Sequence, residues 1–565
     1  MNTLHHLDYT AIALYMLLMA VLGVLLGRFV KDAGDYFKGG SVIPWAVGAV
    51  SNFMSMFSTF IFVAYAGIAY EFGLVSLTLL WCTVPPMVLA ALFLAKRWRR
   101  ANIMTPVEFL ERRFNPATRQ VFTWSGLFFR LLDNMVRLYA MGIFLSAVTP
   151  LSLKIAILLA GTGVLAYTIA GGLWAVVITD TVQFFFLMLT TLILIPLSIR
   201  MAGGIDTVVT TIPDHFNWFN GPKGSFWFLL AYYVMVLIKY NGNWGFIQRF
   251  YSVKDERSAQ KLGWMSACFF LAFPIIFLLP SMVAAVALPG LENGEMAYAA
   301  ISAAALPPGI LGLMIAAMFV ATMSSLDGEY NVMAGVVTLD VYARLIRPRA
   351  TEKQRLLVGR VATTGIGILV MLGALYIDRF GGAFEANKLF TGLFAIPMTI
   401  PLIGGIVSKR IRPAGAFASI LVGLVTGLFF NAHPQYSWET ATLIQVMLCF
   451  AVMLVSAAWP ARDPAYLSRT TAFFDQLNRP LTAAEKPSLS AKTGIGMRKV
   501  VVFSLAATGV LFVLMSIPSL SVLGGQLSLG AGVICLIGGA LAWPYGKNER
   551  MKEKQKKHTY ESVEK

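Results

Sequence analysis

The stretch FVATMSSLDGEYNVMAG, residues 319–335, ends an apolar run that begins near Leu311, and it sets polar groups where a membrane-length helix is usually bare. Ala321, Ser324 and Ser325 stand at i, i+3 and i+4, so they share one helix face. A serine hydroxyl offers two acceptor lone pairs and a backbone carbonyl offers more, an oxygen-only set that suits a hard cation such as Na⁺. The same hydroxyls can instead bond back to carbonyls one turn earlier. Asp327, a turn further on, needs a partner of its own.

Three other places put polar groups at membrane depth, where each one is costly and points to a pathway or a binding site. TDTVQ at 179–183 sets Asp180 inside the span that follows the Gly171–Gly172 turn, either as a buried acid or as an interfacial charge at a helix N-terminus. FFRLLDNMVRLY at 128–139 places Asp133 three residues after Arg130 and four before Arg137, so it can pair with either. That cluster reads as a self-neutralised packing network or as a solute contact through Asp133. LIKYNGNWGFIQRF at 237–250 holds Lys239, Tyr240, Asn241 and Asn243 beside Gly242 and Gly245. This composition favours an interrupted helix whose freed carbonyls and amides bind ions and solutes, against a helix that simply ends near Gly242. SNFMSMFSTF at 51–60 is rich in Ser and Thr but has no Gly or Pro, and nothing in it indicates a break.

The elements that carry these residues follow from composition. Of 565 residues 57% are hydrophobic and 13% charged, and the mean hydropathy is +0.71; a soluble chain is about half apolar and a quarter charged. Apolar stretches long enough to span recur from Tyr9 to Trp543. Backbone groups in lipid must satisfy one another, and the period-two alternation of a membrane barrel is absent, so the class is an all-α polytopic membrane protein. Fifteen spans are expected, near 7–29, 43–72, 74–95, 121–148, 153–170, 174–200, 225–248, 262–288, 309–338, 358–377, 387–407, 414–431, 439–459, 499–517 and 527–545.

The net charge of +17 sits in short loops, which argues against a nucleic-acid partner. Loops at 96–113, 249–257, 344–355 and 408–412 are basic, whereas those at 203–224, 289–308 and 432–438 are not. The basic set is expected on the cytoplasmic side of the plasma membrane, with the N-terminus outside and the C-terminus inside. The four cysteines lie in apolar runs and imply neither a disulfide framework nor a metal cluster. The start, MNTLHHLDYT, lacks a basic n-region and a cleavage site, so the first span is expected to be retained. Residues 460–498 read as a cytoplasmic linker along the membrane, followed by two further helices in 499–545 and a basic tail at 546–565. With no phosphate loop, kinase signature or H-E-x-x-H pattern, neither an ATP-driven pump nor an enzyme is indicated.

Five motifs in chain order resemble the sodium/solute symporter family: DYFKGG at 35–40, TPVEFLERRF at 105–114, YTIAGGLWAVVITDTVQ at 167–183, NWGFIQRFYSVKD at 243–255, and MSSLDGEYNVMAGVVTLDVYARLIRP at 323–348. The resemblance implies a LeuT-type fold, with inverted repeats of five helices each. Its transport core would run over 43–407, after an extra helix and its cytoplasmic approach in 1–42 and before two peripheral helices in 408–459. It implies one sodium site from the carbonyls of Met54, Phe57 and Ala321 and the hydroxyls of Ser324 and Ser325. A second cation site in some members uses an Asp, matched by Asp180, and serines that are replaced here by Asp327 and Gly328; the two carboxylates would bind a cation more strongly or share a proton.

The implied solute pocket draws on Ser58, Asp133, Arg137, Lys239, Asn243 and Phe246. Ile61 and Leu80 stand where sugar-transporting members keep a glutamine and a glutamate, so glucose-like recognition is not expected. An unpaired Asp133 would disfavour an anionic solute, unless Arg137 cancels it. The function implied is Na⁺-coupled import of a small polar organic solute across the lipid bilayer by alternating access, with a monomer sufficient. A proton-coupled carrier of the same fold, a channel-like uniporter and a non-transporting membrane sensor are the competing readings.

Overall fold

The computed structural model describes the backbone of residues 4–27, 37–459, 463–482, 485–487 and 491–542. The basic tail 546–565 and the Asp35–Tyr36 start of DYFKGG lie outside the described residues. Among the described residues the chain is helical, with one isolated parallel bridge between Ile43 and Val253. Among the described residues, eleven helices are long and apolar enough to cross a membrane, and shorter apolar helices at His6–Leu22, Ile61–Phe72 and Phe226–Asn241 occupy three other expected ranges.

The helices that carry the site are α1 (His6–Gly27), α2 (Trp45–Met54), α3 (Ala66–Phe72), α4 (Pro116–Val148), α5 (Leu153–Met201), α6 (Phe226–Asn241), α7 (Trp244–Tyr251), α8 (Ile310–Val336), α9 (Gly382–Phe390) and α10 (Pro464–Asn478). Every residue of α8 except Phe319 is buried, as expected for a helix that is apolar nearly all round. It packs against α1, α4 and α5, so its polar residues face protein rather than lipid. The start of α8 is capped from another helix: Asp8 Oδ1 accepts from the Gly309 and Gly312 amides at 2.7 and 2.8 Å. A Cβ on Gly312 would lie 2.4 Å from the Asp8 carbonyl oxygen, so this approach of α1 to α8 requires glycine.

The first span is broken. α2 stops at Met54, residues 55–58 are non-helical, and the helix resumes through a π turn at Ile61–Tyr65 into α3. The residue types show no breaker because the groups that hold the break open are distant in sequence. Arg137 Nη1 on α4 donates to the Ser55 carbonyl at 2.9 Å, and the Thr59 amide donates to Thr322 Oγ1 on α8 at 3.2 Å. Interrupted backbone at membrane depth is tolerated only when such partners re-satisfy it. The expected interruption between α6 and α7 is present, with Asn243 outside the helix and its Oδ1 accepting from the Phe246 amide at 3.0 Å. Gly242 is needed for close approach, since a Cβ there would lie 2.2 Å from Thr399 Cγ2.

One expectation is corrected. No turn occurs at Gly171–Gly172, and α5 is helical without interruption for 49 residues, about 73 Å along a straight axis. A glycine within a helix costs only about 1 kcal/mol, and the Ala, Leu and Trp around the pair favour continuation. Within the 460–498 linker, α10 docks on the basic 96–113 loop. Phe473 stacks on Phe109 at 6.0 Å, Arg113 Nη1 donates to the Tyr466 hydroxyl at 2.7 Å, and Arg100 Nη1 donates to the Leu477 carbonyl at 3.0 Å.

Candidate ion and solute site

Both breaks lie beside buried polar helix faces. On one side of the first break is α8. The Thr322 hydroxyl donates to Thr59 Oγ1 at 2.7 Å, and Thr59 Oγ1 donates on to the Met318 carbonyl at 2.6 Å, so α8 is fastened to the chain just past the break. Ala321, Ser324 and Ser325 are fully buried on this helix, and Met54 and Phe57 are fully buried at the break. The two serines behave differently. Ser325 Oγ bonds back to the Thr322 carbonyl at 2.9 Å, the local alternative open to it from sequence. Ser324 Oγ instead donates across to Asp180 Oδ1, and Ser51 Oγ donates to Asp180 Oδ2 at 2.5 Å. Asp180 is thus a fully buried carboxylate on α5 that joins α2 and α8, not an interfacial charge.

Arg249 on α7 belongs to this cluster, and the residue-by-residue reading missed it although it lies in NWGFIQRF. Its Nε donates to Ser51 Oγ at 3.1 Å and its Nη2 lies 3.8 Å from Asp180 Oδ2. Gly328 makes room for it, since a Cβ there would stand 3.0 Å from Arg249 Nη2. Asp327 is fully buried next to this guanidinium, and no side chain hydrogen-bonds to its carboxylate oxygens. The visible signal for Arg249 is a cation in the apolar helix following the break, which must have a carboxylate within reach.

On the other side of the break, Asp133 is not unpaired. Its Oδ2 accepts from Arg137 Nη2 at 2.8 Å and Nε at 3.2 Å, and its Oδ1 accepts from Lys239 Nζ at 2.9 Å. Asn387 Nδ2 of α9 adds a bond to the same Oδ1 at 3.1 Å. Arg130 does not share this carboxylate; it pairs with Glu329 of α8 at 2.6 Å and lies 4.7 Å over the Trp244 ring. Ser58, Asp133, Arg137 and Lys239 line a central cavity between the break, α4, α6 and α9. Tyr65 and Tyr232 also line it, their hydroxyls 2.6 Å apart and Tyr232 stacked on Phe384 at 5.9 Å. Asn243 lines a second cavity beyond Lys239, and Lys239 borders both. Phe246 is packed against Tyr240 and Phe270 at 5.2 and 6.3 Å and does not line the central cavity.

The chain has recognisable relatives. It is 27% identical to a sodium/glucose cotransporter of Vibrio parahaemolyticus, over 83% of this chain and 94% of that one. It is 25% identical to the sodium/sialic acid symporter NanT of Aliivibrio fischeri, over 80% and 93% of the two chains. It is 30% identical to sodium/myo-inositol cotransporter 2 of Sus scrofa, over 76% and 70%. Its fold is that of a Na⁺-coupled sialic acid symporter solved in a substrate-bound outward-open state, with a TM-score of 0.70, 22% identity, and coverage of 80% of this chain and 98% of that one. The expected LeuT-type all-helical architecture is therefore present. The model of the sodium:solute symporter family matches residues 36–423, well over half of the sequence. The chain belongs to that family.

Proposed function

We propose that this protein is a Na⁺-coupled symporter, a carrier rather than an enzyme, that imports one small polar organic solute by alternating access. The observation that carries the reading is the fastening of the broken first span to α8 through Thr59 and Thr322, beside Ser324. Sodium bound by the Met54, Phe57 and Ala321 carbonyls and the Ser324 and Ser325 hydroxyls would bridge both elements. The ion must bind the outward-facing arrangement better, because coupling needs a difference in affinity between states. Solute then occupies the central cavity with Ser58, Asp133, Arg137 and Lys239 around it. Asn243 acts through the shape of the second break, and Phe246 through packing behind it.

The Tyr65–Tyr232 contact serves as the outer closure, and the cavity bordered by Asn243 as the route inward. The basic loops face the cytoplasm, with the N-terminus outside and the C-terminus inside the plasma membrane. Each inward Na⁺ adds about 2.3 kcal/mol per 100 mV to the concentration gradient. The relatives carry glucose, sialic acid and myo-inositol by their names, and those solutes set the size expected here. A monomer holds the whole set of residues.

A second reading, proton coupling, is favoured by one feature: the buried Asp327 carboxyl, to which no side chain hydrogen-bonds, beside Asp180. Stabilisation of the purified protein by Na⁺ against choline at fixed ionic strength separates the two. Sodium coupling at the first site predicts a Na⁺-specific rise in melting temperature that is lost in Ser324→Ala and kept in Asp327→Asn. A response to pH alone, abolished in Asp327→Asn, would establish the proton reading instead.

A further inference from the structure

Eight buried ionisable groups cluster around the two breaks: Arg130, Arg137, Lys239 and Arg249 with Asp133, Asp180, Asp327 and Glu329. They are not matched one to one. Arg130 pairs with Glu329 at 2.6 Å. Arg249 lies 3.8 Å from Asp180, with Asp327 nearby. Arg137 and Lys239 share the single carboxylate of Asp133, leaving one positive charge in excess at the central cavity.

From this imbalance we propose that the transported solute is a monoanion, an organic carboxylate held by Arg137 and Lys239. This rests on the symporter reading above. An uncompensated charge at membrane depth is costly, and a carboxylate in the central cavity removes that cost where a neutral sugar leaves it in place. The donors are available. Arg137 has five N–H groups; two go to Asp133 and one to the Ser55 carbonyl, and another is spent only on a weak contact to Met56 Sδ at 3.8 Å. Lys239 reaches Asp133 and Thr391 at 2.9 and 3.0 Å but Asn387 at only 3.4 Å, so its third proton is loosely held. The rest of the lining mixes apolar Met56, Ile61 and Val236 with the polar groups of Ser58, Tyr240 and Asn387, which suits a carboxylate on a partly polar body.

The imbalance also links solute to ion. Arg137 holds the Ser55 carbonyl on one side of the break, and the Met54 and Phe57 carbonyls belong to the same few residues. A cation held by those carbonyls orders the break that Arg137 grips. Arg137 is then fixed in place for an anion, and the cavity's affinity for one rises.

The test is thermal stabilisation of the full-length protein in Na⁺ by matched pairs: acetate and acetamide, lactate and lactamide, benzoate and benzamide. The carboxylate of at least one pair is expected to act at a tenfold lower concentration than its amide. That preference should disappear in Lys239→Gln, survive in Lys239→Arg, and grow in Asp133→Asn, which removes the internal competitor. Amides as effective as their acids would overturn the proposal, as would no carboxylate effect in either wild type or Asp133→Asn. The same titrations without ligand report on the coupling ion separately. A carboxylate effect without any Na⁺ effect would leave the solute class standing and remove sodium, and a Na⁺ effect with amides equal to acids would do the reverse.

Discussion

Replacing Thr322 by valine keeps the shape of the side chain and removes the oxygen that ties α8 to the first break. The hydroxyl makes two contacts there, accepting from the Thr59 amide at 3.2 Å and donating to Thr59 Oγ1 at 2.7 Å. Thr59 Oγ1 keeps its bond to the Met318 carbonyl, but the Thr59 amide, in a fully buried residue, is left without a partner. Orphaning a buried donor costs about 1–3 kcal/mol. That cost falls on the arrangement in which the break and α8 stand together, the one proposed to bind sodium. If all of it is charged to the sodium-competent state, apparent Na⁺ affinity drops between about 5- and 150-fold. The assay is the melting temperature of purified protein titrated with Na⁺ against choline, for wild type, Thr322→Val and Thr322→Ser. Serine keeps the hydroxyl and should titrate near wild type. A Thr322→Val midpoint within twofold of wild type would refute the claim that this bond holds the break in its ion-binding form.

Three further perturbations test other parts of the account. Asp8→Ala leaves the Gly309 and Gly312 amides without their cap and should cost about 1–3 kcal/mol, read as a lower melting temperature with no change in the sodium midpoint. Gly242→Ala drives a methyl into Thr399 and should destabilise by about 1–3 kcal/mol; the double variant Gly242→Ala, Thr399→Ala removes the two nearest atoms but keeps Cβ at 2.9 Å, so it should recover only part of that loss in the same melt. Lys38, outside the spans, is pulled down to about 8 by burial first and by Arg99 second. Its folded value lies below its unfolded one, so its charge opposes folding at pH 7 and this cost fades as pH rises from about 8 toward 10.5, by about 1.4 kcal/mol per pH unit. Lys38→Met should therefore raise the melting temperature at pH 7 and do so by less at pH 10.

What could be read from sequence was whatever is local. Span-length apolar runs and basic loops follow from composition, and the second break is written in its own residues, with Gly242 for close approach and Asn243 as a cap. The first break is not, because Ser55 and Thr59 depend on Arg137 and Thr322, 82 and 263 residues away. Gly171–Gly172 errs in the opposite direction: a pair that usually marks a turn is carried through by its helix-forming neighbours. At the site, i, i+3, i+4 spacing identified the face that Ala321, Ser324 and Ser325 share, but spacing does not say where a hydroxyl points. Ser325 turns back to its own helix and Ser324 reaches across to Asp180. The pairing of Asp133 with Arg137 was legible as an i, i+4 alternative, but Lys239 lies on a different helix, so only its contact shows that one carboxylate serves two cations.

Direct binding of radiolabelled sodium to the purified protein tests the central claim most simply. Wild type should show saturable binding displaced by unlabelled Na⁺ and not by choline, and Ser324→Ala should lose it. Equal saturable binding in wild type and Ser324→Ala, or none in wild type, would contradict the account.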